Sequence, residues 1–179
     1  MRQRLVLPAL LLLLPACIVE APTSEKSGVS ASRSQGKATP VGVRSGAILG
    51  DLAELQGATF LPASLSPGDA TQVVLVFRAL KPTPEDWQVF VHVEDADGRQ
   101  ERMNVDHPLR RPSSTWKPGD QIQDDFIINL PVGWRTRAVN IYVGLWLPRT
   151  EERMVVRNPQ VVRTDGNNRV LLVQLPVAG

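Results

Sequence analysis

From about Ala47 onward, apolar residues recur at every second position, and this pattern constrains the fold more than any other feature of the chain. Val73, Leu75, Phe77 and Ala79 alternate with Val74, Val76 and Arg78. Trp87, Val89, Val91 and Val93 alternate with Gln88, Phe90, His92 and Glu94. Phe126, Ile128 and Leu130 alternate with Asp125, Ile127 and Asn129. Val139, Ile141, Val143, Leu145 and Leu147 alternate with Asn140, Tyr142, Gly144 and Trp146, and Arg169 to Leu175 closes the series. Successive strand side chains point to opposite faces, so each segment shows one face to a core. No window carries the periodicity of an amphipathic helix.

The punctuation agrees. Ser66-Pro67-Gly68-Asp69 and Lys117-Pro118-Gly119-Asp120 each precede a strand. Proline presets φ and glycine accepts positive φ, as a type II turn requires. Asp97-Gly98 and Asp165-Gly166-Asn167-Asn168 read as hairpin turns. Strands separated by turns, without intervening helices, predict an all-β fold: a single antiparallel β-sandwich, immunoglobulin-like or jelly-roll-like, of about eight or nine strands. Ala47–Leu55 and Thr59–Leu65 are the first two expected strands. An up-and-down barrel is the alternative.

The amino-terminal part has a different character. Arg2 and Arg4 precede the apolar run Leu5 to Leu14, and Ala16 precedes Cys17, the only cysteine. That is the layout of a cleaved secretory signal. The run is too short for a spanning helix, which needs roughly 20 apolar residues, and Pro8 and Pro15 interrupt it. Leu14-Pro15-Ala16-Cys17 resembles the lipobox of bacterial lipoproteins, with Pro15 where that family usually has a small or β-branched residue. The resemblance implies cleavage before Cys17, a diacylglyceryl group on its thiol and an acylated amino terminus. It therefore implies a membrane partner through the lipid on Cys17. Ile18 is not the aspartate that retains lipoproteins at the inner membrane of enteric bacteria, so the resemblance favours the outer membrane.

Residues 18–44 are dominated by Ser, Thr, Gly, Lys and Pro and contain no aromatic residue. Such a segment cannot bury enough apolar area to offset its ordering entropy. It reads as a flexible tether, reaching roughly 30 Å as a random coil. The expected division is a signal at 1–16, lipidated cysteine and linker at 17–45, and the sandwich at 46–179.

Charge removes one class of partner. The chain has 20 Lys+Arg and 18 Asp+Glu, and a pI near 9.0. Cleavage would remove Arg2 and Arg4 and leave 18 of each sign. A balanced, mixed-sign domain carries no electrostatic footprint for nucleic acid. With Cys17 lipidated, no disulfide can form within the chain, and a domain of this size must rely on its hydrophobic core.

His92, Asp106, His107 and Asp124 form the best candidate polar cluster. Two histidines with carboxylates can ligate zinc, but the spacing lacks a compact ligand signature such as His-Glu-x-x-His. The favoured reading is that His92 hydrogen-bonds a neighbouring strand or Asp106. Asp106, Asp120, Asp124 and Asp125 offer carboxylates, yet glycoside hydrolysis needs two at a set separation across a cleft. There is no Gly-x-Ser-x-Gly, no glycine-rich phosphate loop and no calcium-loop run. No catalytic residue, metal or cofactor is assigned. Trp116 and Trp134 lie in segments rich in Pro, Gly and charge, which makes them candidates for exposed rings that stack on sugars or anchor a protein interface. The favoured reading is that each covers an end of the sandwich, its indole N–H bonded to a loop carbonyl.

The ordered set Leu65-Ser66-Pro67-Gly68-Asp69, Val89-Phe90-Val91-His92-Val93, Asp97-Gly98, Asp106-x-Pro108, Ser114-Thr115-Trp116-x-Pro118-Gly119-Asp120 and Val143-Gly144-Leu145 resembles a known domain. It is the extracytoplasmic β-sandwich often appended to membrane glycosyltransferases of the protein-mannosyltransferase type. Gly133-Trp134-Arg135-Thr136-Arg137 replaces that family's Pro-Gly-x-Tyr turn, and Trp146 stands where tyrosine is common. The resemblance implies a sandwich outside the cytoplasm and transfers no catalytic residue. The expected function is a non-catalytic accessory or protein-interaction module of a membrane-anchored envelope lipoprotein, its partner an envelope protein or a glycan. A carbohydrate-binding module is the alternative, and a hydrolase ranks third.

Overall fold

The computed structural model describes residues 41–179; Cys17, the signal and the first part of the linker lie outside them. The strands are β1 (Val41–Leu49), β2 (Ala53–Leu61), β3 (Ala70–Ala79), β4 (Gln88–Asp95), β5 (Met103–Asn104), β6 (His107–Pro108), β7 (Gln121–Asn129), β8 (Ala138–Leu147), β9 (Glu152–Arg153) and β10 (Val170–Pro176). One sheet runs β1-β2-β3-β7 and the other β10-β8-β4-β5, with β6 paired to β4 and β9 to β8. Every pairing between these strands is antiparallel. The architecture is the expected sandwich of two antiparallel sheets.

The alternation sets which face is inside. On β3, Thr71, Val73, Leu75, Phe77 and Ala79 are buried. On β4 and β8, Val89, Val91, Val93, Ile141, Val143 and Leu145 join the same core as Leu55 and Phe60 of β2. The two Pro-Gly-Asp turns lock β3 to β7 from both ends. The Gly68 N–H donates to Leu130 O (2.9 Å), and the Gly119 N–H donates to Ala79 O (2.9 Å). Both glycines sit at φ 90.

The amino-terminal hairpin differs from expectation. Strand β1 starts at Val41, inside the segment read as linker, and the expected strand Ala47–Leu55 is broken by a turn at Gly50. Ala47, Leu49, Ala53 and Leu55 keep one phase through the turn, so alternation alone passes straight across it. The expected strand Thr59–Leu65 is the end of β2, which stops at Leu61 before Pro62, a residue without an N–H for the ladder. Between β1 and β2, the register shifts between Arg44, which lies opposite Gly57, and Ala47. A Cβ on Gly57 would lie 2.1 Å from the Val43 carbonyl oxygen, so only glycine permits this backbone approach. The two-residue strands β5, β6 and β9 are too short to show any alternation.

Candidate functional site

The outward face of the β8-β4-β5 sheet does not look like a solvated surface. Pairing places Trp146 opposite Gln88, Gly144 opposite Phe90 and Tyr142 opposite His92. Asn104 of β5 lies opposite His92, and Arg153 of β9 lies opposite Trp146. One face thus collects three aromatic residues and a histidine at positions where a solvated sheet would carry polar groups. Phe90 is 1% exposed, yet it is not part of the core between the sheets. It fits because Gly144 has no side chain: an added Cβ would lie 2.4 Å from Phe90 Cζ.

Above this face lies a pocket of about 630 Å³. Its floor is Phe90 and His92, both buried. Half-buried Trp146, Arg153 and Asn168 form walls, and exposed Arg102, Asn104, Asp106 and Glu151 form the rim. The turn at 166–168 is fixed by Arg169, whose guanidinium pairs with Asp165 at 2.6 Å and with Glu94, and lies 4.4 Å from the centre of the Tyr142 ring. Arg153 lies 5.1 Å from the centre of the Phe90 ring. Asn168 Oδ1 accepts the Val156 N–H (3.2 Å), and Asp106 Oδ1 accepts the Val91 N–H (2.9 Å). The walls are therefore built from the sheet and pinned to it.

The charges around His92 are unequal. Burial lowers its pKa to about 4, Arg102, Arg153 and Arg169 push the same way, and Asp106 alone opposes them. Arg169 Nη1 lies 3.2 Å from His92 Nδ1. A guanidinium can only donate, so Nδ1 accepts, and the neutral ring carries its proton on Nε2 (an assignment from the hydrogen-bond network). Arg78, Arg99, Arg110, Arg111, Arg137, Arg149, Arg157 and Arg169 all pair with carboxylates. Among the described residues, Arg44, Arg102, Arg135, Arg153 and Arg163 have no carboxylate within ion-pair distance, and of these Arg102 and Arg153 line the pocket. Trp146 Nε1 is the one buried side-chain polar atom among the described residues without a hydrogen-bond partner.

Of the expected site residues, His92 and Asp106 meet in this pocket. His107 and Asp124 do not. The His107 Nε2 lies 2.8 Å from Asp124 Oδ2 and its Nδ1 2.8 Å from Val105 O, with the ring centre 4.6 Å from that of Phe126. Among the described residues, no three His, Cys, Asp or Glu side chains gather in a metal-binding group. The candidate role of Trp116 and Trp134 as exposed binding rings is corrected, and Trp116 takes the covering role favoured above: they are 2% and 8% exposed. Trp116 closes one end of the core against Phe77, at 6.1 Å between ring centres, and its indole N–H donates to Arg111 O at 3.0 Å. Trp134 belongs to the core and shows only its margin to a hollow beside Pro67 and Arg137. Their loops fold back over the sandwich, which local composition does not reveal. Trp146 is the tryptophan that reaches the pocket, and its place in the outward phase of β8 was its only sequence signal. Arg102 and Arg153 had none, because strand pairing alone brings them together.

The chain matches no family model and no curated protein. Among solved structures it is similar to a Niemann-Pick type C2 protein from the Japanese carpenter ant, with 10% identity and a TM-score of 0.40, over 73% of this chain and 97% of that one. A likeness at that level carries no argument about ligand or function.

Proposed function

We propose that this chain is an envelope lipoprotein, anchored through a lipid on Cys17, whose sandwich acts as a non-catalytic binding module. The observation that carries the binding role is the pocket over Phe90 and His92. Its volume of about 630 Å³ is that of a small-ligand site, roughly 300–1,000 Å³. A protein–protein contact instead buries about 800 Å² on each partner, usually over a flatter area. The recessed, polar shape with Trp146 in its wall favours a glycan over an envelope protein as occupant, reversing the order of the two sequence expectations.

Two experiments test the two halves separately. Metabolic labelling with palmitate should mark the wild-type protein and not Cys17→Ala, which should leave the membrane fraction. Retention of both label and membrane by Cys17→Ala would overturn the anchor. For the module, the detergent-solubilised full chain should bind saccharides on a glycan array, and Trp146→Ala should lose that binding with an unchanged circular dichroism spectrum. Equal array binding by Trp146→Ala, or none by either protein, would overturn the glycan reading.

A further inference from the structure

The pocket's charges say more about the ligand, provided that the binding-module reading holds. Most guanidiniums of the sandwich are neutralised by carboxylates, whereas Arg102 and Arg153 converge on one pocket with no carboxylate within ion-pair distance, Arg153 reaching only the Asn167 carbonyl at 3.4 Å. The pocket also carries two acids. Glu151 stands at the rim in a left-handed conformation, φ 57. Asp106 uses Oδ1 for the Val91 N–H and keeps Oδ2 for another donor. This mixture is wrong for a simple anion, which Asp106 would repel. It is also wrong for a plain neutral sugar, which does not require two unpaired guanidiniums. A sugar ring that also bears an anionic group satisfies both sets. Hydroxyls donate to Asp106, and the anion faces the guanidiniums, whose donor forks match carboxylate and phosphate.

We propose that the pocket binds an acidic saccharide, a sugar ring bearing a carboxylate or phosphate, with Arg102 and Arg153 on the anionic group and Asp106 on ring hydroxyls.

The test is isothermal titration calorimetry on the detergent-solubilised full chain with four probes: a galacturonic acid oligomer, the matching neutral galactose oligomer, glucose 6-phosphate and inorganic phosphate. One of the two acidic probes should bind, and which one does so tells carboxylate from phosphate. Its affinity should fall roughly tenfold or more in Arg102→Gln and in Arg153→Gln, the loss of one charge-assisted contact each, and should weaken with added salt. Arg102 is exposed, so its variant tests the contact without threatening the fold. Asp106→Asn should weaken the acidic sugar and, by removing the repelling charge, strengthen phosphate. Equal binding of the neutral oligomer, indifferent to both arginine variants, would overturn the acidic specificity and leave the glycan module standing. Phosphate binding as tightly as the acidic sugar would overturn the saccharide half. Binding of none of the four would overturn the proposal, and the glycan array then decides separately whether the module reading falls with it.

Discussion

Replacing Gly144 with alanine isolates the feature on which the pocket floor depends. The added methyl would sit 2.4 Å from Phe90 Cζ and 2.6 Å from Cε1. Carbon atoms pack at about 3.5–4.0 Å, so the ring must retreat by more than 1 Å, on the order of a third of a van der Waals contact. It has little room, because Phe90 is buried and the Arg153 guanidinium lies 5.1 Å from its centre. Overpacking of this kind costs about 1–3 kcal/mol. With the ring so confined the cost lies in the upper part of that range, about 2–3 kcal/mol; alanine recovers roughly 0.5–1 kcal/mol of backbone entropy relative to glycine, which leaves a net loss of about 1–2.5 kcal/mol. In urea, with m of about 1–3 kcal/mol/M, the midpoint should fall by roughly 0.5–1 M at unchanged m. Phe90→Leu should then partly rescue Gly144→Ala, with a coupling of about 1 kcal/mol in the double-mutant cycle. A midpoint equal to wild type, or additivity within about 0.5 kcal/mol, would refute the claim that glycine is needed here to seat Phe90.

Trp116→Ala should cost about 3–5 kcal/mol and leave affinity for any pocket ligand unchanged in whatever fraction remains folded; loss of binding at wild-type stability would contradict its role in the core. His92 titrates low because it is buried and faces guanidiniums; its stabilising contribution is present above pH 6.5 and lost as pH falls toward about 4. Urea midpoints across this window should decline less for His92→Gln than for wild type, and an identical decline would exclude His92 as the source. His107 is pushed down by burial, but its bonds to Asp124 and Val105 outweigh this and raise its pKa. Its contribution is complete below pH 6.5 and lost as pH rises through the raised value, so His107→Gln should flatten that alkaline decline; an unchanged slope above pH 6.5 would rule the pair out.

The legible part of the fold is the part in which strand position alone decides burial. Val73, Leu75 and Phe77 face the core because they share a phase, and the Pro-Gly-Asp turns mark the starts of β3 and β7. The hairpin at Gly50 was hidden because an odd phase continues through it. Trp116 is ambiguous for a different reason. Its neighbours Lys117, Pro118 and Gly119 mark a loop, and a loop is ordinarily exposed, yet this one lies across the end of the core with its indole N–H satisfied by Arg111. The pocket needs still more distant information. His92 and Asp106 are separated by a single hairpin and could be paired by inspection. Arg102 and Arg153 meet only because β4 stands between β5 and β8 and because β9 folds back onto β8, an order that no local pattern contains.

The sandwich therefore has two apolar layers of unequal kind. The layer between the sheets is mostly hydrocarbon, and the polar groups buried at its margin are satisfied, Thr71 by Pro62 O and Asp124 by His107. The smaller one on the outer face seats Phe90 over Gly144 and is roofed by guanidiniums, with Arg153 above Phe90 and Arg169 above Tyr142. Cations over aromatic rings and ion pairs weaken under conditions that leave hydrocarbon packing intact. The Arg169 links to Glu94 and Asp165 hold the 166–168 turn that walls the pocket. The pocket is thus the part of the domain whose order depends on charge, while the fold beneath depends on alternation. A pocket arranged in this way can change its charge pattern through a few arginines and acids without disturbing the alternation that makes the chain a sandwich.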